Sequence, residues 1–312
     1  MQVVIEGREL IMLDRHSTPV HGTYHRPQSG KTELDGRDKE RIGVLFLNSL
    51  SLPRTATGDS AVFWADCLAA CGYPTFRIDM PGLGDSDGQL PKELLDYING
   101  GGFAHATAQN IEEIVNRFNL SGVVIVGHCA GAASALYAAA TSELCKGLIL
   151  MDVYFHLPQA VRPKIRRLIS DWALKNRLGR LASNVYDRLR AMRLGLQDNK
   201  LPNNANVPLI RRWKELAGGG LPILILKAPA RKALGAKPRA GEFDYLEYVL
   251  KIAGNRHKIS VKYTEGTDHS FANRHGRNLV RQYAEDWLTS HFPLAEIQTA
   301  SQLGALGHSV NS

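Results

Sequence analysis

The sequence has no long apolar run and few cysteines. No stretch approaches the roughly 20 consecutive apolar residues that a membrane-spanning helix needs, and no charged-then-apolar leader opens the chain. Four cysteines (67, 71, 129 and 145) are too few for a disulfide scaffold in 312 residues. No cysteine–histidine cluster has the spacing of a metal site, so we expect neither a metal nor another cofactor. These absences favour a protein of the reducing cytoplasm.

The composition is that of a globular protein with one unusually basic segment. Hydrophobic residues make up 44% and charged residues 22% of the chain, and the net charge is +8. Between residues 153 and 216, fourteen Lys or Arg oppose four Asp or Glu, a local charge of +10 that leaves −2 for the rest. This asymmetry predicts an acidic partner or substrate for the segment. A solvated helical face explains the charge equally well.

Strand patterns and helix patterns alternate from about residue 42 to residue 290. Continuous apolar runs of the kind found in doubly covered strands read IGVLFLN (42–48), GVVIVGH (122–128), KGLILMD (146–152) and LPILILKA (221–228). Apolar residues at helical spacing over 110–118 predict an amphipathic helix. The alternation predicts an α/β fold whose mostly parallel central sheet is covered by helices on both faces.

Three regions follow from this pattern. Residues 1–152 and 221–293 are predicted to form the α/β core, which begins with two or three short strands before residue 28. Residues 153–220 interrupt the alternation with a helical pattern, and we expect a basic helical lid over the strand ends. Residues 294–312 are small and polar, which predicts a mobile C-terminal tail.

The motif GHCAGA, residues 127–132, joins the apolar strand 122–128 to an alanine-rich helix. It has the form Gly-x-nucleophile-x-Gly with Cys129 in the nucleophile's position. A sharp strand-to-helix turn lifts that side chain above the sheet, and only small residues such as Gly127 and Gly131 fit beside it. The backbone N–H groups of Ala130 and Leu50 are predicted to form an oxyanion hole. The alternative is a small buried residue in a tight turn.

A thiol nucleophile needs a base and an acid that orients it. His269 follows the last predicted strand, and parallel strands end at one edge of the sheet, so His269 can meet Cys129 there. The orienting acid is less determined, because the segment after LPILILKA contains no carboxylate. Asp152 ends the strand KGLILMD on the correct edge and is the preferred acid, with Asp244 in reserve. Asp152 could instead cap a helix that opens the lid.

Together these segments resemble the α/β-hydrolase superfamily. The segments VLFLNS, FRIDMPGLGDSDG, GHCAGA, LILMDVY and GTDHSF stand in that family's order. The resemblance implies the α/β-hydrolase fold with a helical lid insertion, and a structural turn shaped by Asp79 and the glycines that follow it. Cys129 departs from the usual serine, a variant also seen in dienelactone-hydrolase-like and polyester-synthase-like members.

Two subfamilies are similar to different parts of the sequence. GHCAGAASALYAA with LILMDVY looks like the thioesterase domains of polyketide and nonribosomal peptide synthesis, which carry their acid where Asp152 stands. FRIDMPGLGDSDG with DHSF is similar to serine-aminopeptidase-like hydrolases, which place the acid after the next strand. The first resemblance implies release of a thioester-bound acyl or peptidyl chain through an acyl-Cys129 intermediate, by hydrolysis, cyclisation or transfer.

The basic lid fits a thioester substrate. Acyl carrier proteins are acidic and coenzyme A is polyanionic, so either could dock on Arg162, Lys164, Arg166 and Arg167. Nucleic acid is disfavoured as a partner because no groove-reading motif accompanies the charge. Two alternatives stay open: a carboxylesterase-like hydrolase of a small ester, and a binding protein that kept the fold and lost the chemistry.

Overall fold

Eight strands form one sheet in the part of the chain that the structure describes. The structure is a computed structural model, and it describes residues 7–14, 18–28, 41–157, 201–202, 204–229 and 243–294. The strands are β1 Arg8–Leu13, β2 Val20–His25, β3 Ile42–Leu47, β4 Thr75–Ile78, β5 Gly122–His128, β6 Cys145–Met151, β7 Ile223–Lys227 and β8 Ile259–Tyr263.

The sheet is parallel apart from one edge. Its order is β1-β2-β4-β3-β5-β6-β7-β8, with β1 antiparallel to β2 and β2 antiparallel to β4. The six strands from β4 to β8 run parallel. Their carboxyl ends therefore lie along one edge of the sheet, and the predicted mostly parallel sheet is confirmed.

Helices cover both faces of this sheet. They are α1 Ser60–Ala70, α2 Leu94–Asn99, α3 Ala104–Arg117, α4 Ala130–Ala139, α5 Val207–Gly218, α6 Tyr245–Lys251 and α7 Arg274–His291. On one face α1 and α7 pack against the side chains of alternate strand positions such as Val44 and Val126. On the other face α2 to α6 pack against the intervening positions, such as Leu45 and Ile125. Two apolar layers thus enclose strands that are buried on both sides.

The predicted lid is wrong at its C-terminal boundary. Residues 207–218 were assigned to the lid, yet they form α5, a crossover helix in the core. Trp213 on α5 is completely buried, and its indole N–H donates to the carbonyl of Val249 at 2.8 Å. A lid helix and a crossover helix share the same apolar period, so the pattern could not separate them. Residues 158–200, the rest of the predicted lid, lie outside the described residues.

Other predictions fall partly or wholly outside the described residues. The first six residues of the predicted N-terminal strands and residues 295–312 of the predicted tail are among them. The short helix α2 was not predicted, because it follows a turn-rich stretch and is only six residues long. Within the part of the chain that the structure describes, no helix combines the length and apolarity needed to cross a membrane.

Asp79 holds the turn that follows β4. Its carboxylate is completely buried and accepts hydrogen bonds from the side chain of Asn48 at 2.9 Å and from the backbone N–H groups of Arg54 at 2.6 Å and Asp85 at 3.2 Å. The guanidinium of Arg54 also contacts it. A Cβ at Gly84 would stand 2.3 Å from this carboxylate, so glycine is required there. These contacts tie the loop after β3 to the turn after β4.

We expect Asp79→Ala to lower the free energy of unfolding by about 3–5 kcal/mol, because it removes a completely buried carboxylate and leaves its donors, the side chain of Asn48 and the backbone N–H of Arg54, without an acceptor. Urea denaturation measures this loss. Asp85→Ala is the matched control: its side chain is 71% exposed while contacting the same guanidinium, so the expected loss is below about 1 kcal/mol. Equal losses in the two variants would contradict the structural role of Asp79.

Candidate active site

Cys129 stands at a strained turn between β5 and α4. Its backbone angles are φ 53° and ψ −114°, a region that residues other than glycine rarely adopt. Its N–H donates to the carbonyl of Met151 at 2.9 Å, which ties the turn to the end of β6. The thiol is free and half-buried. Strain at this position lifts one side chain above the sheet edge, as a nucleophile elbow does.

The two flanking glycines have no room for a side chain. A Cβ at Gly127 would lie 2.3 Å from the carbonyl oxygen of Gly131, and a Cβ at Gly131 would lie 2.4 Å from that of Asn48. The turn therefore packs against both its own helix and the loop after β3. Small residues are required beside Cys129, as the motif indicated.

The predicted oxyanion donors sit on these same two segments. Ala130 is the first residue of α4, and Leu50 lies in the loop after β3 with φ 51°. Neither backbone N–H donates a hydrogen bond to any described residue. Because Asn48 contacts the turn at Gly131, the loop that carries Leu50 lies beside the elbow. Both amides are thus available to a ligand oxygen.

Asp152 and His269 are in direct contact. One carboxylate oxygen of Asp152, which directly follows β6, hydrogen-bonds Nδ1 of His269 in the loop after β8. Asp152 is 8% exposed, has φ 49°, and donates its own N–H to the carbonyl of Leu226 at 2.8 Å. Burial alone would raise the pKa of Asp152, but the hydrogen bond from His269 and the charge of Lys227 together lower it. The carboxylate is therefore ionised at neutral pH.

Lys227 occupies the other oxygen of the same carboxylate. It is the last residue of β7, and its ammonium forms an ion pair with Asp152. The segment that directly follows this strand has no carboxylate, and the last residue of the strand supplies a cation instead. Asp152 is thus held from two sides, which fixes the orientation of the oxygen that faces His269.

His269 is a strong base in this setting. The hydrogen bond with Asp152 and then the interaction with the neighbouring Cys129 raise its pKa to about 10, against burial, which lowers it. The imidazole is therefore protonated at neutral pH, between an acid on one side and the thiol on the other. The structure places His269 in contact with Asp152 and close to Cys129.

His128 supports the loop of His269. Its Nε2–H donates to the backbone carbonyl of His269 at 2.6 Å, and the two rings lie 4.9 Å apart. Burial and then the charge of His269 lower the pKa of His128 to about 4, so it stays neutral.

Tyr154 is a neighbour of the site that sequence reasoning missed. Its hydroxyl donates to Oδ1 of Asn99 at 3.2 Å. Burial raises the pKa of Tyr154, and its interaction with Cys129 raises it further. Its position in the sequence, two residues after Asp152 in LILMDVY, could have indicated that it lies near the site.

The remaining predicted residues have other outcomes. Asp244, the reserve acid, is wrong for that role: it is the N-cap of α6 and accepts from the N–H of Glu247 at 2.9 Å. Asp152 already holds His269. The four basic residues predicted to bind a carrier, 162, 164, 166 and 167, lie outside the described residues. Within the described ranges, no group of three or more His, Cys, Asp or Glu could hold a metal ion.

A comparison of the sequence with known protein families identifies a family that has this fold. The family described as alpha/beta hydrolase fold matches residues 49–224, more than half of the chain. The chain therefore belongs to the α/β-hydrolase fold family, and its class is that of a hydrolase of this fold. None of the curated proteins matches the sequence.

Solved structures share the fold at low identity. An esterase of Pyrococcus furiosus is 10% identical, with 91% of both chains covered and a TM-score of 0.56. Est1E of Butyrivibrio proteoclasticus, solved with ferulic acid, is 15% identical over 90% of this chain and 98% of its own, with a TM-score of 0.51. DcsB, solved with a substrate analogue, is 14% identical over 91% and 99%, with a TM-score of 0.53. At these identities the similarity establishes the fold alone.

We expect Gly131→Ala to lower the free energy of unfolding by about 3 kcal/mol, because the added methyl group meets the backbone of the loop after β3. Gly218→Ala is the control, since a Cβ there meets nothing within 4 Å. Its stability should be unchanged or slightly raised. Chemical denaturation of both variants makes the comparison, and equal stability would show that the elbow is not tightly packed.

His269 is expected to titrate far above its ordinary pKa of 6.5. The stabilisation from its protonated form is fully present below pH 6.5 and is lost as the pH rises through about 10. Asp152→Asn removes the largest cause of the shift, so the pKa should fall towards 6.5. NMR titration of the imidazole resonances measures it. Asp244→Asn should change nothing; if it shifted His269 as much as Asp152→Asn, the placement of the acid would be wrong.

Proposed function

We propose that this protein is an acyl-transfer enzyme that acts on thioester-bound acyl chains through a covalent acyl-Cys129 intermediate. The observation that carries the proposal is the contact chain from Asp152 through His269 to Cys129 at a strained elbow. Nucleophile, base and orienting acid are the three parts that covalent acyl transfer needs.

In the first half-reaction Cys129 attacks the carbonyl carbon of the substrate as a thiolate, with its proton already on His269. The oxygen gains negative charge in the tetrahedral intermediate, where the N–H groups of Ala130 and Leu50 stabilise it. When the intermediate collapses, the carbon–sulfur bond to the leaving thiol breaks and protonated His269 gives its proton to that thiol. The products are a free thiol, acyl-Cys129 and neutral His269.

In the second half-reaction His269 acts as the base. Acylation removes the hydrogen bond and the charge of the sulfur, both of which raise the pKa of His269. The neutral imidazole therefore takes a proton from water, and the resulting oxygen nucleophile attacks the acyl carbon. Collapse breaks the bond between the acyl carbon and the sulfur. It releases the carboxylic acid and leaves Cys129 as a thiolate beside a protonated imidazole. An internal hydroxyl or amine in the acyl chain would replace water in a cyclisation.

A thioester fits a thiol nucleophile better than an oxygen ester does. Exchange of one thioester for another leaves acyl-Cys129 similar in energy to the substrate, and a thiol leaves more readily than an alcohol. The basic segment of residues 153–216 supplies an electrostatic reason for an acidic carrier protein or coenzyme A to bind there.

A carboxylesterase of small oxygen esters is the second candidate. The fold is shared with an esterase of Pyrococcus furiosus and with Est1E, which was solved with ferulic acid. Hydrolysis of an oxygen ester would use the same three residues. The two functions are distinguished by the rates at which the protein releases the same acyl chain from a thioester and from an oxygen ester. Under the first proposal the thioester should react at least about tenfold faster.

Trapping the intermediate tests the proposal directly. Incubation with acyl thioesters of varied chain length should add one acyl mass to the intact protein, because attack precedes release. Cys129→Ala should show no adduct. Cys145→Ala is the control, since that thiol is buried and its burial raises its pKa to about 12, so it should label like the wild type. An unlabelled wild-type protein across all chains, or an adduct that survives in Cys129→Ala, would overturn the proposal.

A further inference from the structure

A second group of charged side chains lies away from Cys129, at the antiparallel edge of the sheet. A cleft of about 350 Å³ opens there, between β1, β2 and the loop after β3. Three guanidinium groups line it, those of Arg8, Arg54 and Arg77, together with the buried hydroxyl of Thr23. The proposed acyl-transfer chemistry uses none of these groups.

Arg77 is the buried cation of this cleft. It lies on β4 and is only 4% exposed. Its Nε–H donates to Nε2 of His25 at 2.8 Å, and a terminal N–H donates to the carbonyl of Arg54 at 3.0 Å. Neither acceptor is negatively charged, and no described carboxylate forms an ion pair with Arg77. A buried charge normally has an ionic partner, because its desolvation is costly.

The neighbouring cations already have partners. Arg8 forms an ion pair with Asp66, and Arg54 forms ion pairs with Asp79 and Asp85. Two further carboxylates line the cleft, those of Glu9 and Asp59. Glu9 is paired with Arg26 at 3.5 Å, and Arg26 is not part of the cleft wall. Each of these carboxylates except that of Asp59 is thus paired with a cation other than Arg77.

His25 does not supply the missing negative charge. Burial and then the charge of Arg77 lower its pKa to about 4, so it is neutral at physiological pH. Because Nε2 accepts from Arg77, the proton is on Nδ1, which donates to Asp66 at 2.8 Å. His25 therefore bridges Arg77 and Asp66 by hydrogen bonds but does not neutralise the charge of Arg77.

The neighbouring guanidinium groups repel that of Arg77. Burial and then repulsion from Arg54 and Arg8 lower its pKa to about 10, against the weaker attraction to Asp66 and Asp79. The group still stays protonated at neutral pH. An anion in the cleft would offset both the desolvation and the repulsion.

We propose that this cleft binds a small oxyanion, a phosphate group or a carboxylate, held by Arg77 with Arg8 and Arg54 beside it. Planar guanidinium groups match the geometry of both anions and donate paired hydrogen bonds to them. Thr23 accepts from Nε of Arg54 at 3.2 Å, which leaves its hydroxyl hydrogen free to donate to the anion. Arg54 belongs to the loop after β3, which also carries Leu50, so the cleft and this predicted oxyanion donor share one loop. The proposal does not rest on the acyl-transfer chemistry.

Calorimetric titration of the full-length protein with inorganic phosphate and with acetate, at constant ionic strength, tests the site. At least one anion should bind saturably with a stoichiometry of one, and the stronger of the two identifies the class. Arg8→Gln should weaken binding roughly tenfold, the value of one charge-assisted hydrogen bond. Arg212→Gln is the matched control, because it removes an equal charge from an exposed ion pair with Glu215 on α5, and binding should be unchanged.

A second readout needs no variant. The Nε–H resonance of Arg77 in nitrogen-15-labelled wild-type protein should shift saturably with the bound anion, while that of Arg212 stays fixed. The absence of saturable binding for both anions would overturn the proposal. Equal weakening in Arg8→Gln and Arg212→Gln, or an Arg77 resonance that does not move, would overturn it as well.

Discussion

The carboxylate of Asp152 is the interaction on which the candidate site depends. Its two oxygens hold two cations, His269 on the loop after β8 and Lys227 at the end of β7. The carboxylate lies at the centre of the strand-end edge and joins three neighbouring strands, β6, β7 and β8. Without it, the imidazole would lose the contact that most raises its pKa, and no fixed base would face Cys129.

Ion pairs also organise the side of the sheet that β1, β2 and β4 form. There Asp66 and Asp79 anchor Arg8 and Arg54, and the loop after β3 is fixed through Arg54 to the turn after β4. That loop also contacts the elbow at Gly131. Backbone and ionic contacts between distant parts of the sequence therefore position the elbow at Cys129, the loop after β3 and Asp152. The apolar layers on both faces hold the strands that carry these parts.

The fold could be predicted from the sequence because doubly buried strands such as β3 and β5 leave continuous apolar runs. Gly127 and Gly131 were predictable too, since the elbow excludes larger side chains. The sequence did not decide between Asp152 and Asp244 as the partner of His269, because it does not show whether the segment around Asp244 folds towards the strand ends. The pairing of Lys227 with Asp152 and of Arg77 with His25 depends on strand register, and α5 has the same apolar period as a lid helix. Contacts between strands and the burial of one helix face are tertiary properties, which local pattern does not encode.

The rate at which iodoacetamide alkylates Cys129 at pH 6.5, followed residue by residue by peptide mass spectrometry, measures whether His269 and Asp152 activate this sulfur. We expect Cys129 to react much faster than Cys67, whose burial raises its pKa, and we expect Asp152→Asn to slow Cys129 without affecting Cys67. Equal rates for the two cysteines in the wild type, or a Cys129 rate indifferent to Asp152→Asn, would contradict this activation.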